Sequence, residues 1–359
     1  MYKYLLVILE KGAVPFCHYS NPAYHSQAEA DYMPADLLGR IIRYAQEQDL
    51  FINFLYGKQD LPAAQAELVN TVNHVKIVPW PLHASYPDSI LVLDACERDA
   101  FDSIEKNTAR NIILRVESFD LSRLAADVAA LDGRFKRLNI HLAGVERFTE
   151  ADIELYEAQV EILASTLQQA YQVGQEIEIN SLTDRLLLAQ MNNCDAGVRH
   201  LTIAPNGKAY ICPGFYHDDP ESSALGLWAE TQEVFGENPQ LLTLGCAPIC
   251  SQCDAFHCKR CVYLNKLTTL EINVPSKQQC VIAHAEREAS RQMLRRLRSR
   301  KPFDKLPEIR CLSYRDPFDI VAQPIGYRDT VPAEVSVALD SEEYLSQILA
   351  LQKRILQKL

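Results

Sequence analysis

Cysteine is nearly missing from the first half of this chain: before residue 190 it occurs only at Cys17 and Cys96. An excess of positive charge is absent as well. The formal net charge of −11 at pH 7 removes any global attraction to nucleic acid or to an anionic membrane surface. No long apolar run is present. The segment MYKYLLVILEK offers about seven apolar residues before Glu10, too few for a membrane span. It also lacks the small-residue cleavage site of a secretory signal, and reads as a first buried strand. A GxGxxG turn after a strand, the mark of a dinucleotide-binding sheet, does not occur. These absences predict a cytoplasmic protein with no nucleic-acid or membrane partner, in a compartment that keeps thiols reduced.

What is present is a long globular pattern. At 359 residues and 48% hydrophobic, the chain suits two domains and a tail. Over residues 1–190, apolar β-branched runs alternate with amphipathic helical patterns, the sign of βαβ units on a parallel sheet. Strands are expected at Tyr2–Leu9, Leu50–Leu55, Val75–Val78, Ile90–Leu93, Asn111–Val116, Leu138–Ala143 and Glu176–Ile179. A helix follows Pro34, with Leu37, Leu38, Ile41, Ile42 and Ala45 on one face. Another starts at Thr149, where Asp152 has capping-box spacing, and carries Ile153, Tyr156, Val160, Leu163 and Leu167. The expected fold class is α/β: a partial (β/α) barrel, then a small cysteine-rich domain over 191–301, then an extended segment and C-terminal helix over 302–359.

Near Met191 the character changes. Leu201–Ala204 and Lys208–Ile211 flank Pro205-Asn206-Gly207, an Asn-Gly hairpin signal. Pro213–Pro220 reads as turns, and His217, Asp218 and Asp219 as a solvated turn. After Cys280 comes a helix with Arg287, Arg291, Arg295, Arg296, Arg298, Arg300 and Lys301, expected to be a solvated face.

Cys194, Cys212, Cys246, Cys250, Cys253, Cys258, Cys261 and Cys280 all fall in this second part. Four of them lie within twelve residues, Cys250-Ser-Gln-Cys253-Asp-Ala-Phe-His-Cys258-Lys-Arg-Cys261. Thiolates that close repel one another unless a cation neutralises them. A zinc ribbon separates its two CxxC knuckles by about 15–20 residues. Here four residues separate them, as in the tight runs that hold iron–sulfur clusters. Zinc and unmetallated structural thiols are the alternatives.

The order Cys194, Gly207, Cys212, then Cys250-xx-Cys253-x4-Cys258-xx-Cys261, then Cys280 resembles the SPASM domain of radical-SAM peptide-modifying enzymes, and IAPNGKAYICPGFY resembles its hairpin. The resemblance implies two auxiliary 4Fe-4S clusters. Cys250, Cys253, Cys258 and Cys280 would hold the outer one. Cys194, Cys212 and Cys261 would hold the inner one, with Cys246 a candidate fourth ligand. This chain departs from the pattern in its additional Cys246 and in two intervals after Cys253 that are each one residue short.

The same family carries CxxxCx(aromatic)C after its first strand, to hold the cluster that cleaves S-adenosylmethionine. Here Glu10 and Val14 occupy the first two cysteine positions, and only Phe16-Cys17 matches. The family's GGE-Pro stretch, which contacts S-adenosylmethionine, corresponds to Gly57-Lys58-Gln59-Asp60. Both elements are degraded, so S-adenosylmethionine is not expected as a cofactor. Cys17 reads as a partly buried thiol at a strand end, and its removal is expected to leave iron content unchanged. His18, Tyr19, Asn21 and His25 are candidate cavity residues or turn formers. Tyr210, Phe215 and Tyr216 read as hairpin packing.

The resemblance thus implies an iron–sulfur protein acting in maturation of a small ribosomal precursor peptide, similar to the non-canonical member of the system that modifies CXXX-repeat peptides. Its partner would be a true radical-SAM enzyme. The alternatives are an active enzyme whose cluster is completed by Glu10 or a partner chain, and a zinc-stabilised peptide-binding scaffold.

Overall fold

Side chains alternate across a strand, so Leu5 and Val7 of β1 (Tyr4–Ile8) join one core while Tyr4, Leu6 and Ile8 face another. That two-sided burial is what a parallel sheet requires. The computed structural model describes residues 2–298 apart from 27–28, 107–109, 176, 189 and 229–237. All described residues belong to one compact unit, Met1–Leu312.

Each strand expected in the first half forms. After β1 come β2 (Phe51–Leu55), β3 (His74–Pro79), β4 (Ile90–Asp94), β5 (Asn111–Val116), β6 (Arg137–Leu142) and β7 (Glu178–Ile179). They pair in parallel and in sequential order. On the free side of β1, β8 (His200–Ile203) adds in parallel. Two antiparallel strands follow, β9 (Lys208–Tyr210) and β10 (Gly226–Leu227). The cysteine-rich part therefore contributes strands to the same sheet, whose edges are β10 and β7. Between β8 and β9 the chain turns at Gly207, whose φ of 76° suits glycine.

Helices cover one face. Ala35–Glu47 buries Leu37, Leu38, Ile41, Ile42 and Ala45, the stripe read from the sequence. Each of its four large side chains contributes about 2 kcal/mol of apolar transfer. Glu150–Gln172 starts with the expected capping box: Thr149 N–H donates to Asp152 Oδ2 at 2.8 Å, and Asp152 N–H to Thr149 Oγ1 at 3.3 Å. The long helix Lys277–Arg298 packs on Glu150–Gln172 and on Asn180–Leu187, and Ser290 Oγ donates to Leu182 O at 2.7 Å.

Three expectations need correction. Pro213–Asp218 is a short helix with Pro213 in its first turn, where the missing N–H costs nothing. His217 is no solvated turn residue, because its ring stacks on Tyr19 with centroids 5.2 Å apart. The basic flank after Cys280 is not wholly solvated either. Arg287 Nη1 reaches Asp254 Oδ1 at 2.7 Å, and Arg291 pairs with Glu288 at 3.1 Å. No helix among the described residues is long and apolar enough to cross a membrane. The segment and helix expected over 302–359 lie outside the described residues, as do Arg300 and Lys301.

Candidate metal centre

The thiols sort into two groups. Cys194 precedes β8 and Cys212 follows β9, so the hairpin brings both to one end of the sheet. Backbone bonds then fasten the cysteine run beside them. Asn192 N–H donates to Phe256 O at 2.7 Å and Cys194 N–H to Lys259 O at 2.9 Å, which places Cys261 near Cys194. Cys212 and Cys261 pack with Cys194 around Tyr19, Ala196, Leu242, Val262 and Tyr263.

Cys17 packs against this same apolar cluster. Its place follows from the path of residues 10–20, which fold over the inner face of the sheet. Val14 N–H donates to Tyr56 O at 2.8 Å, and Ala13 and Val14 are buried with Leu6, Ile8 and Leu55. Burial pushes the Cys17 thiol well up, and the charges of Cys261, Cys212 and Cys194 push it further. Burial, then Cys261 and Cys194, does the same to Cys212. Cys261 is pushed up to about 12, mainly by burial.

The second group is Cys250, Cys253 and Cys258. Burial, with Cys250, Cys253 and Glu286 nearby, pushes Cys258 up to about 12. Cys253 Sγ accepts from Ala255 N–H at 3.4 Å and lies 3.6 Å from His284 Nε2. His284 stands one turn beyond Cys280 on Lys277–Arg298, so both residues share a helix face turned toward Cys253. Behind them, Glu286 accepts from His257 Nε2 at 2.9 Å and from the Tyr156 hydroxyl, tying the cysteine loop to the barrel helices. Cys246 is exposed on the turn Leu244–Cys246.

Arg260 stands between the groups, buried, and its guanidinium feels the charges of Cys250 and Cys194. Four polar partners hold it: Asn193 Oδ1 at 2.9 Å, Asn273 Oδ1 at 2.9 Å, Thr243 O at 3.2 Å, and Leu242 O. Among the described residues, no three His, Cys, Asp or Glu side chains are grouped as ligands of a single metal ion.

At the other end of β1 the two degraded sequence elements touch. A Cβ added to Gly57 would stand 1.5 Å from Glu10 Oε1, so only glycine leaves room for that carboxyl. Glu10 borders a cavity of about 750 Å³, with Tyr24, His25 and Lys58 among its lining residues. Asn21 is a turn former: its Nδ2 donates to Ala13 O at 2.7 Å and its Oδ1 accepts from Ala23 N–H at 3.0 Å. His18 packs on His141 with centroids 4.1 Å apart, and burial lowers both imidazoles, holding them neutral. Arg115 and Asp94, at the ends of β5 and β4, pair at 2.7 Å.

Glu10 Oε2 has no hydrogen-bond partner, and burial pushes its carboxyl up to about 7 from 4.5. Below pH 4.5 both folded and unfolded chains hold the proton. Between about 4.5 and 7 only the folded chain holds it, so stability falls as pH rises through that window. Full conversion would give about 3 kcal/mol, and water in the adjoining cavity screens this to about 2 kcal/mol. Glu10→Gln is therefore expected to raise the melting temperature by about 5 °C at pH 8 and to leave it unchanged at pH 4. Equal shifts at both pH values would show that the carboxyl is not the cause.

No protein-family model and no curated protein matches this chain. Solved structures do. A hexahistidine-tagged anSMEcpe with bound AdoMet is similar with a TM-score of 0.54 and 12% identity, over 84% of this chain and 96% of that one. Native anSMEcpe with bound AdoMet and Cp18Cys peptide is similar with a TM-score of 0.55 and 12% identity, over 82% and 98%. At such identity the likeness is one of fold: this chain has the α/β fold of the radical-SAM/SPASM peptide maturases that its cysteine order resembles.

Proposed function

We propose that this chain is an iron–sulfur protein of peptide maturation, working as the partner of a true radical-SAM enzyme rather than cleaving S-adenosylmethionine itself. Residues 1–190 form its barrel part and 191–301 its cluster-bearing part. The observation that carries the reading is the sorting of thiols into two groups on either side of Arg260. The donor set suits iron–sulfur ligation: clustered thiols, with backbone N–H groups directed at sulfur. Cys250, Cys253, Cys258 and Cys280 would hold the outer 4Fe-4S cluster, and Cys194, Cys212 and Cys261 the inner one. When bound, such clusters supply one-electron transfer or an open iron for a substrate thiolate.

The sequence spacing argues against a zinc ribbon: four residues separate the two CxxC pairs, where a ribbon has about 15–20.

The barrel end supports the loss of S-adenosylmethionine chemistry. Val14 is buried in the inner core and has no ligand atom, and Glu10 fills the space against Gly57. The similar anSMEcpe structure holds a peptide, which supports a precursor peptide as the partner here, with a cysteine-repeat sequence as the proposed class. Protein purified anaerobically should be brown, with iron and sulfide in equal amounts. Mixed with dithionite and S-adenosylmethionine, it should release no 5′-deoxyadenosine while a working radical-SAM enzyme does. Colourless protein with stoichiometric zinc would sink the cluster reading, and 5′-deoxyadenosine formation would sink the division of labour.

A further inference from the structure

We infer that Cys17 is the fourth ligand of the inner cluster, so that the site is built by Cys17 from the barrel loop together with Cys194, Cys212 and Cys261. The inference rests on the iron–sulfur reading above and deepens it. It also reverses the sequence-based expectation that Cys17 has no part in iron binding.

The geometry comes first. Residues 10–20 run back along the inner face of β1, with Ala13 and Val14 buried among Leu6 and Ile8 and Phe16 packed on the same cluster. Phe16 and Cys17 then pack on the cluster that holds Cys194 and Cys212, so the loop has reached the hairpin thiols. All four thiols pack against one apolar cluster of Tyr19, Ala196, Leu242, Val262 and Tyr263. Such walls exclude water, which protects an iron–sulfur centre.

Cys261 Sγ accepts from Leu264 N–H at 3.4 Å, and such a donor stabilises thiolate charge as the ligand shell of a cluster requires. A close approach shapes the wall of the site: a Cβ on Gly214 would stand 2.6 Å from the Tyr263 ring, so glycine lets the Pro213–Asp218 turn reach it. Cys246, the other candidate, is exposed and does not pack on the cluster.

The consequence is chemical. Four protein thiolates would leave no open iron, so a cluster held by them would suit electron transfer rather than binding of a substrate thiol. Cys17 thereby ties the barrel loop to the cysteine part through the cluster.

The test compares anaerobically reconstituted wild type with Cys17→Ala, Cys17→Ser and Cys246→Ala by iron and sulfide content and by EPR of the dithionite-reduced protein. Cys17→Ala is expected either to lose about half of the iron, a twofold fall, or to keep it with altered g values for one of two clusters. Cys17→Ser keeps the packing volume and offers oxygen, so it should retain the fold and shift the same signal. Cys246→Ala should match wild type. Wild-type iron and unchanged EPR in both Cys17 variants would overturn the assignment while leaving the two-cluster reading intact. A loss caused by Cys246→Ala instead would overturn it too. Wild type without iron would sink the iron–sulfur reading itself, a different outcome.

Discussion

Replacing Cys253 with alanine is expected to remove about half of the bound iron and to unfold the segment around residues 244–258, while the barrel and the inner thiol group stay folded. The reason is how little apolar packing that segment has of its own. Between Asn238 and Cys261 the described chain has only 3-10 turns, such as Leu244–Cys246 and Cys250–Gln252. Between 244 and 258 its buried apolar residues are three small ones, Ala247, Cys250 and Ala255. So small a core cannot offset backbone entropy of about 1–2 kcal/mol per residue. Structural metal ligation is worth on the order of 10 kcal/mol, enough to make folding of such a segment conditional on its cluster. The measurement is iron content together with amide hydrogen exchange. Exchange over 244–258 should approach that of an unfolded chain, whereas β2 to β6 should stay protected. Unchanged protection over 244–258 would mean that protein contacts alone hold the loop. Cys96→Ala, far from both groups in sequence and exposed, is the control that should change neither quantity.

The second large effect is expected at Arg260. Arg260→Ala should destabilise the protein by about 3–5 kcal/mol, a fall of about 10 °C in melting temperature. The guanidinium is buried and joins four stretches of chain through Asn193, Leu242, Thr243 and Asn273. Removing it leaves buried acceptors without donors, each costing about 1–3 kcal/mol. It also removes the cation between the two thiol groups, and the local charge of their thiolates rises. Arg260→Lys should recover little, because one ammonium cannot reproduce a fork that reaches four acceptors. A thermal melt of anaerobic protein checks this. An alanine variant that melts with wild type would show that the polar contacts are replaceable by water. Arg260 also has φ of 42°, a left-handed conformation that the adjacent contacts must hold.

Both predictions concern a region whose architecture is not legible in sequence. The Asn-Gly hairpin and the seven strand segments are local patterns, and each has a structural counterpart. The capping box at Thr149 is legible for the same reason, since its two partners are three residues apart. Arg287 misleads in sequence because its partner Asp254 lies 33 positions away. His284 does leave a signal: it follows Cys280 by four residues on a helix, the spacing that puts two side chains on one face. Arg260 leaves none, because a basic residue inside a CxxC interval looks like a solvated loop position.

The uneven placement of cysteine and the α/β alternation belong to the sequence by itself. They follow from residue identity and from periods of two and 3.6, which need no knowledge of the distant chain. Only the tertiary structure could decide where Cys17 stands. By sequence it stands alone after β1, far ahead of Cys194 along the chain. In space the loop after β1 folds along the sheet's inner face and delivers it to Cys194, Cys212 and Cys261. Loop paths are set by packing against strands that are distant in sequence, and no local pattern encodes them. The same holds for Glu10 and Gly57, which look like two separate losses along the chain and form one contact because β1 and β2 are neighbours.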